Sequence, residues 1–415
     1  MVYIKPFQGI RPVKDKVKDI ASPPYDVINK QEAKEMAGEN QLSFLHVIKP
    51  EIDFPDDFNV YSPEIYKQGK ENFGKLMDVG IFNQDSKDNF YVYAQTMHGR
   101  TQYGLVACAS VKDYMEDYIK KHELTRPDKE EDRMNHIRVS NLNYEPVFFT
   151  YPAHQRIDEL IGEVIKSNPE YDFISDDDIT HTFWVIDNED IILEIQSIFE
   201  KEIPYTYVAD GHHRTAAAAL VGNERKENNP DHKGNEEYNY FLAVHFPDNQ
   251  LSIFDYNRVV KDLNGHSAAE FIDELGKRFD IEEKGDEAYK PARLHEFSMY
   301  LEGKWYRLQA KENTYDENDP IGVLDVTVLT SQVLEPLLGI TDLRRDKRID
   351  FVGGIRGLGE LKKRVDSGEM KVAFALYPVS MQQLINIADT GNIMPPKTTW
   401  FEPKLRSGLV LHSLE

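Results

Sequence analysis

One stretch constrains the rest of the chain: Tyr205-Thr-Tyr-Val-Ala-Asp210-Gly211-His212-His213-Arg214-Thr-Ala-Ala-Ala-Ala-Leu220. Tyr205, Tyr207 and Val208 suit a pleated, buried surface. Asp210-Gly211 breaks the strand. Four alanines followed by Leu220 and Val221 predict a helix whose small-residue face packs closely on a sheet. The turn between strand and helix carries an acid, a glycine, two imidazoles and a guanidinium. A helix N-terminus offers unpaired backbone N–H groups and the positive end of the dipole. With His213 and Arg214 added, it suits a phosphate or a carboxylate. The plainer alternative is a capped strand-to-helix turn with a surface ion pair.

The chain has 415 residues, enough for two or three domains. Hydrophobic residues at 40% and aromatics at 11% mark a folded globular protein. A net charge of −23 repels phosphate backbones and anionic lipid surfaces. No nucleic-acid or membrane partner is therefore expected, and an anion bound at the turn belongs to a small-molecule substrate. A homodimer is an open alternative to a monomer. The single cysteine, Cys108, sits in an apolar run and reads as a buried structural thiol, which leaves no intrachain disulfide and no cysteine-based zinc site. The N-terminal residues lack the apolar core of a signal peptide, and no run approaches the ~20 apolar residues of a membrane span. The expected location is cytoplasmic.

Strands alternate with helices along the chain, which predicts an α/β or mixed α+β core. Strands are expected at 90–96 and 102–111, joined as a hairpin at His98-Gly99, and at 145–151, 182–186, 240–246 and 251–256. Helices are expected at 62–77, 155–167 and 189–202. Leu42 to Ile48 reads as a strand, 113–121 as a helix or extended link, and polar residues 223–238 as a loop beside the site and a candidate lid. A break at 262–266 divides an N-terminal and central region, 1–262, from a C-terminal α/β domain, 266–415, with a helix at 324–338. The glycine-rich run from Arg348 to Lys363 fits neither a Walker nor a Rossmann spacing. The chain closes on a donor-rich loop, Met394-Pro-Pro-Lys397-Thr-Thr-Trp400-Phe-Glu-Pro-Lys404.

Two further stretches carry chemistry. In Ser22-Pro-Pro-Tyr25-Asp26-Val27 the prolines stiffen an extended turn. Tyr25 and Asp26 then serve as a pocket wall, or the segment is only a braced surface crossing. In Lys121-His122-Glu123-Leu-Thr-Arg126-Pro127-Asp-Lys129-Glu-Glu-Asp-Arg133, Pro127 suits a first helical position. Lys129, Arg133 and His136 then share one basic face. The competing reading is a solvated helix of mixed charge.

These stretches, with Ala209-Asp-Gly-His-His-Arg214 and the closing loop, together resemble a widespread and largely uncharacterised family of prokaryotic cytoplasmic proteins. The Asp210–Arg214 turn is similar to the signature of free serine kinases in the ParB/sulfiredoxin-like superfamily. The resemblance implies a ParB/sulfiredoxin-like mixed-sheet core with a second α/β domain. It implies that Gly211, His212, His213 and Arg214 hold nucleotide phosphates, that Asp210 places the turn or a metal, and that a glutamate acts on the substrate hydroxyl. Glu123, beside His122, is the candidate glutamate. Sulfiredoxins carry a cysteine in the corresponding turn where this chain has His212, so sulfinic-acid reduction is not expected.

The resulting expectation is phosphoryl transfer from ATP, or from ADP as donor, with Mg²⁺, to a small hydroxylated metabolite, free L-serine first. Glu123, Asp210 and His122 are the candidate catalytic residues. Arg126, Lys129 and Arg133 anchor substrate charge, with Tyr25 and Asp26 lining the pocket. The alternatives are a nucleotide-binding regulatory module without turnover and a metal-dependent phosphodiesterase.

Overall fold

The computed structural model describes residues 1–415. It forms two compact units, Met1–Leu251 with Pro403–Glu415, and Ser252–Glu402. This division falls ahead of the 262–266 break read from the sequence. Tyr256–Val260 is already a strand of the second unit's sheet, and the last residues of the chain return to the first unit. The class is mixed α/β.

The first unit is built on a mixed sheet. Its strands are β1 (Ile4–Lys5), β2 (Phe90–Met97), β3 (Arg100–Ser110), β4 (Ile119–Lys120), β5 (Val147–Tyr151), β6 (Tyr171–Ile174), β7 (Thr180–Ile186), β8 (Thr206–Asp210) and β9 (Tyr240–Pro247). The path across is β4-β8-β5-β9-β3-β2-β7-β6, with β1 beside β3. Only β4 with β8 and β5 with β9 are parallel. The hairpin of β2 and β3 turns at His98 and Gly99, both at positive φ, 51° and 78°. Such a two-residue turn matches the natural twist of the strands.

Five helices matter for the site: α1 (Pro63–Asp78), α2 (Pro127–Ser140), α3 (Gln155–Val164), α4 (Glu189–Glu202) and α5 (His212–Asn228). α3 and α4 bury Ile157, Leu160, Ile195 and Phe199 with Leu105 and Ala107. α5 buries Ala217, Ala218, Ala219 and Val221 with Val147, Phe149, Val208 and Ala243. Ala243 pairs with Ala107 on one side and Val147 on the other, so these helices cover the same face. The alanines let the α5 backbone lie close to the strands, and close packing fixes where its N-terminus ends.

Several local expectations are corrected. Leu42 to Ile48 is a turn followed by a short helix, Leu45–Ile48, because a short apolar run does not distinguish a buried strand from a buried helical turn. Residues 113–121, by contrast, agree with the helix or extended link expected there, as the end of a helix, Val111–Met115, followed by β4. The 223–238 segment is helical to Asn228, and the chain after it returns along α5 as far as Gly222, where the Tyr238 carbonyl covers the glycine. Gly222 is roughly 15 Å from the helix start at 1.5 Å per residue, so the segment packs on the far part of α5 and not over the Asp210–Arg214 turn.

The second unit carries an antiparallel sheet of β10 (Tyr256–Val260), β11 (Phe279–Gly285), β12 (Glu296–Leu301), β13 (Lys304–Ala310), β14 (Ile349–Gly353) and β15 (Val372–Ala375), in the order β11-β13-β12-β15-β10-β14. The glycine-rich run ends β14 and starts α6 (Gly357–Asp366). The helix expected at 324–338 is α-helical at Asp325–Leu329 and then widens to a π-helix, Thr330–Leu334. No helix in either unit is long and apolar enough to cross a membrane.

Gly104 in β3 has no room for a side chain. A Cβ there would stand 2.4 Å from Val244 Cγ1 and 2.7 Å from Phe246 Cζ. Gly104→Ala is expected to destabilise the protein by about 1–3 kcal/mol through overpacking, read from the midpoint of urea unfolding. An unchanged midpoint would contradict this packing.

Candidate functional site

The site begins where β8 meets α5. The register of β8 against β5 shifts between Val208 and Asp210. Such a bulge re-aims the side chains beside it. Gly211 then takes φ 88° as N-cap of α5, and no side chain caps the helix. The first intrahelical bond runs from the Thr215 N–H to the Gly211 carbonyl, 2.9 Å. The N–H groups of His212, His213 and Arg214 therefore precede the ladder. A Cβ at position 211 would stand 3.1 Å from Arg214 Nη2, so the turn needs glycine for space as well as for its φ.

Arg214 is buried beneath this turn. Its Nη1 donates to the Pro146 carbonyl at 2.7 Å. Its Nη2 lies 3.6 Å from Asp26 Oδ2 and 3.6 Å from Asp210 Oδ2. Burial pulls its pKa down, but Asp26, Glu145 and Asp210 more than reverse this, so the guanidinium stays charged. Asp210 is also met by Lys404, whose Nζ lies 3.3 Å from Oδ1. Burial pushes the Asp26 carboxyl up, yet Arg214 and then Lys404 hold it below the ordinary carboxylate range.

A second layer lies behind. Glu145 Oε1 accepts from the Tyr25 N–H at 3.1 Å and the Ser407 hydroxyl at 3.3 Å, and Oε2 lies 3.7 Å from Arg133 Nη1. Its pKa is raised by burial, which Arg214 and Arg133 only partly offset. Arg133 donates twice to Asp132 Oδ2, at 2.9 and 2.6 Å, and stacks 3.8 Å from the Tyr25 ring centroid. A cavity of about 40 Å³ adjoins this layer, lined by Arg133, His136, Tyr144, Glu145 and Arg214 among others. Arg214 Nε, His136 Nε2 and Tyr144 Oη have no partner among the protein groups, and the space suits ordered water.

The two stretches that carry His122-Glu123 and the turn meet in space. Glu123 Oε2 lies 3.9 Å from His212 Nδ1. The His122 and His212 rings pack edge to face at 4.5 Å. Neither nitrogen of His122 has a partner, nor does His212 Nε2. Burial lowers the His122 pKa to about 4 and pushes His212 well below its usual value, the latter helped by its histidine neighbours. Burial also lowers His213, whose Nε2 accepts from the Arg126 N–H at 3.1 Å. Burial thus disfavours the charged form of all three imidazoles.

Other expected positions stand apart. The Arg126 side chain is exposed and paired with Asp128, at 2.7 Å. Lys129 donates to the Tyr61 hydroxyl at 3.2 Å. The basic face expected on α2 is not a surface: Arg133 and His136 are buried, and Asp132 supplies the counter-charge. No group of three or more His, Cys, Asp or Glu side chains converges as a metal-binding set, around Asp210 or elsewhere. Sequence reasoning missed Glu145, Asp132 and Ser407; Lys404 belongs to the closing loop whose donors the sequence singles out. The available signal for Glu145 was a lone carboxylate, next to Pro146, at the head of the fully buried strand Val147–Tyr151. The signal for Lys404 was the density of donors in the closing loop.

The buried histidines set a pH dependence. An unfolded imidazole takes up a proton near pH 6.5, whereas folded His122 refuses one until about pH 4. The unfolded state thus binds more protons in this window, and stability falls as pH drops from about 6.5 through 4. His122→Leu is expected to flatten the decline by about 1 kcal/mol per pH unit at most, measured by denaturant unfolding at several pH values. Parallel curves for the two proteins would contradict the burial of a neutral His122.

Comparison with known proteins adds a family. No curated protein matches the chain. Among solved structures, a mutant of free serine kinase in complex with AMP is similar at 13% identity and TM-score 0.35, over 76% of this chain and 88% of that one. SbnI with C-terminal truncation from Staphylococcus aureus is similar at 12% identity and TM-score 0.38, over 73% and 85%. A conserved hypothetical protein from Pyrococcus furiosus is similar at 15% and 0.32, over 69% and 87%. At these scores the likenesses carry no functional argument. The family match covers residues 4–327, most of the chain, and the protein belongs to the family described as protein of unknown function DUF1015.

Proposed function

We propose that the Asp210–Arg214 turn binds the phosphates of a nucleotide, ATP or ADP, and that the protein transfers a phosphoryl group to the hydroxyl of a small metabolite, with L-serine the leading acceptor. One observation carries this reading. The N-terminus of a 17-residue helix has no side-chain cap, follows a glycine at positive φ, and is ringed by partly exposed carboxylates. The side chains of Glu123, Asp26 and Asp210 are 38, 35 and 27% exposed.

Magnitudes decide what such a site needs. A phosphate oxygen about 4 Å from one carboxylate meets ~4 kcal/mol of repulsion at an effective dielectric of about 20. A helix terminus returns only ~0.3–2 kcal/mol. The helix end alone therefore does not hold a polyphosphate beside Asp26 and Asp210, and cations must accompany it. Magnesium fits as one of them, since Asp210 and Asp26 offer hard oxygen donors and the ion needs few carboxylates when phosphates and waters complete its shell. When bound it would neutralise phosphate charge. Arg214 acts from below, holding Asp26 and Asp210 in place.

Chemistry then falls to Glu123. Its Oε2 lies 3.9 Å from His212 Nδ1, beside the N-terminus of α5. In the transfer, the acceptor oxygen forms a bond to the terminal phosphorus as the bridging P–O bond breaks. The bond pair leaves with the nucleotide, and the hydroxyl proton passes to Glu123. Glu123→Gln is expected to lower kcat by roughly 10²–10⁴-fold with nucleotide affinity retained. The assay supplies ATP, Mg²⁺ and a panel of hydroxylated metabolites, and reads nucleotide product and new phosphomonoester. Binding without turnover would favour the regulatory alternative. Neither turnover nor binding by calorimetry would overturn the reading.

A further inference from the structure

The last thirteen residues, Pro403–Glu415, fold into the first unit. They lie outside the family-matched residues 4–327, yet they reach the heart of the candidate site. Ser407 pairs by backbone bonds with Ser22, at 2.9 and 3.1 Å, one step before the Pro-Pro-Tyr-Asp turn. Its hydroxyl donates to Glu145 at 3.3 Å. Leu411 pairs with Ile10, and His412 with Asn143. The segment is a strap laid across the residues that build the pocket.

The strap is anchored hardest just after Lys404. The Lys404 carbonyl accepts from Gln95 Nε2 at 2.9 Å. Arg406 is buried. Its Nη2 donates to Ser175 Oγ at 3.2 Å and to both carboxylate oxygens of Asp177. Its Nε donates to His181 Nε2 at 3.3 Å, which leaves His181 Nδ1 to carry the proton and donate to the Tyr93 hydroxyl at 2.7 Å. The Arg406 backbone N–H donates to that same hydroxyl at 3.3 Å. Backbone from the Lys404 carbonyl to Arg406 is thereby fixed, and the Lys404 side chain, only 13% exposed, is directed to Asp210.

The other cations near the turn are spoken for. Arg214 is tied to Pro146, Asp26 and Asp210 beneath Gly211, Arg133 is tied to Asp132, Arg126 is tied to Asp128, and burial disfavours the charged form of the imidazoles. An ammonium on a four-carbon stem is a point charge that can change partner without changing its protonation. We propose that Lys404 is a phosphate-binding residue, parked on Asp210 in the resting site and transferred to a polyphosphate held at the N-terminus of α5, with Arg406 as the residue that positions it. This rests on the nucleotide reading for its biological ligand, but not for its chemistry: any polyphosphate would serve.

The test uses the full-length protein and two probes, ATP and inorganic tripolyphosphate, each with Mg²⁺, measured by calorimetry. Lys404→Met is expected to weaken binding of both by about 10–100-fold, the loss of one charge-assisted hydrogen bond. Lys404→Arg is expected to restore most of it. Arg406→Gln is expected to raise KM or Kd for ATP while leaving kcat at saturation within a few-fold, a split that general loss of structure would not give. Tripolyphosphate binding that depends on Lys404, without ATP binding, supports this inference and removes the nucleotide reading. ATP binding unaffected by Lys404→Met overturns this inference and leaves the nucleotide reading standing. Absence of binding of both probes to the unaltered protein overturns both. Should Lys404→Met fail to fold, the unaltered protein decides: tripolyphosphate is expected to slow acetylation of Lys404, followed by mass spectrometry, several-fold, and an unchanged rate overturns the proposal.

Discussion

The buried guanidinium of Arg214 is the point on which the site depends. It comes from the first turn of α5, beneath Gly211, and touches a carbonyl before the head of β5, a carboxylate from the Pro-Pro-Tyr-Asp turn, and a carboxylate at the end of β8. Three segments distant in sequence are thus joined by one side chain. A buried charge is tolerated only with partners, and here the partners are the carboxylates gathered around the turn. Removing Arg214 would strand Asp26, Asp210 and Glu145 without their shared counter-charge. Removing any one of them would leave a charge less well compensated. The fold of the pocket and its electrostatics are therefore a single property.

This arrangement reassigns the roles that the residue types suggest. Arginine and histidine in a turn at a helix N-terminus invite a direct grip on an anion. In the folded chain the arginine is turned inward and the histidines are stripped of charge by burial. What remains at the turn is backbone N–H groups ahead of the helical ladder and partly exposed carboxylates. Such a surface accepts a phosphate only together with cations, which is a reason to look to Lys404 and to a metal that travels with the nucleotide. On the proposed reading the same carboxylates discriminate: a bare anion meets repulsion, and a cation-bearing polyphosphate does not.

Much of the architecture was legible because it is written in local chemistry. The alanine run of α5, the proline that starts α2 and the His98-Gly99 turn each specify their element almost alone. Whether Glu123 reaches the turn is not legible in the sequence, and the structure places its Oε2 3.9 Å from His212 Nδ1. What was not legible depends on long-range pairing. Glu145 looks like any charged residue before a strand until Arg133 and Tyr25 are brought against it. Lys404 follows the turn by nearly two hundred residues, and only the return of the strap to the first unit joins them. The basic face read on α2 failed for a related reason: periodicity shows which residues share a face, not whether that face looks to water or to Asp132 and Glu145. Leu42 to Ile48 failed because a short apolar run has no readable period.

The most direct measurement is a crystal structure of the protein with Mg²⁺ and a non-hydrolysable ATP analogue. The account predicts phosphate oxygens about 3 Å from the backbone N–H groups of His213 and Arg214, with Lys404 Nζ moved from Asp210 onto a phosphate and the Arg214 guanidinium still beneath Gly211. Nucleotide seated elsewhere on the chain, with the Asp210–Arg214 turn untouched and Lys404 still on Asp210, would contradict it.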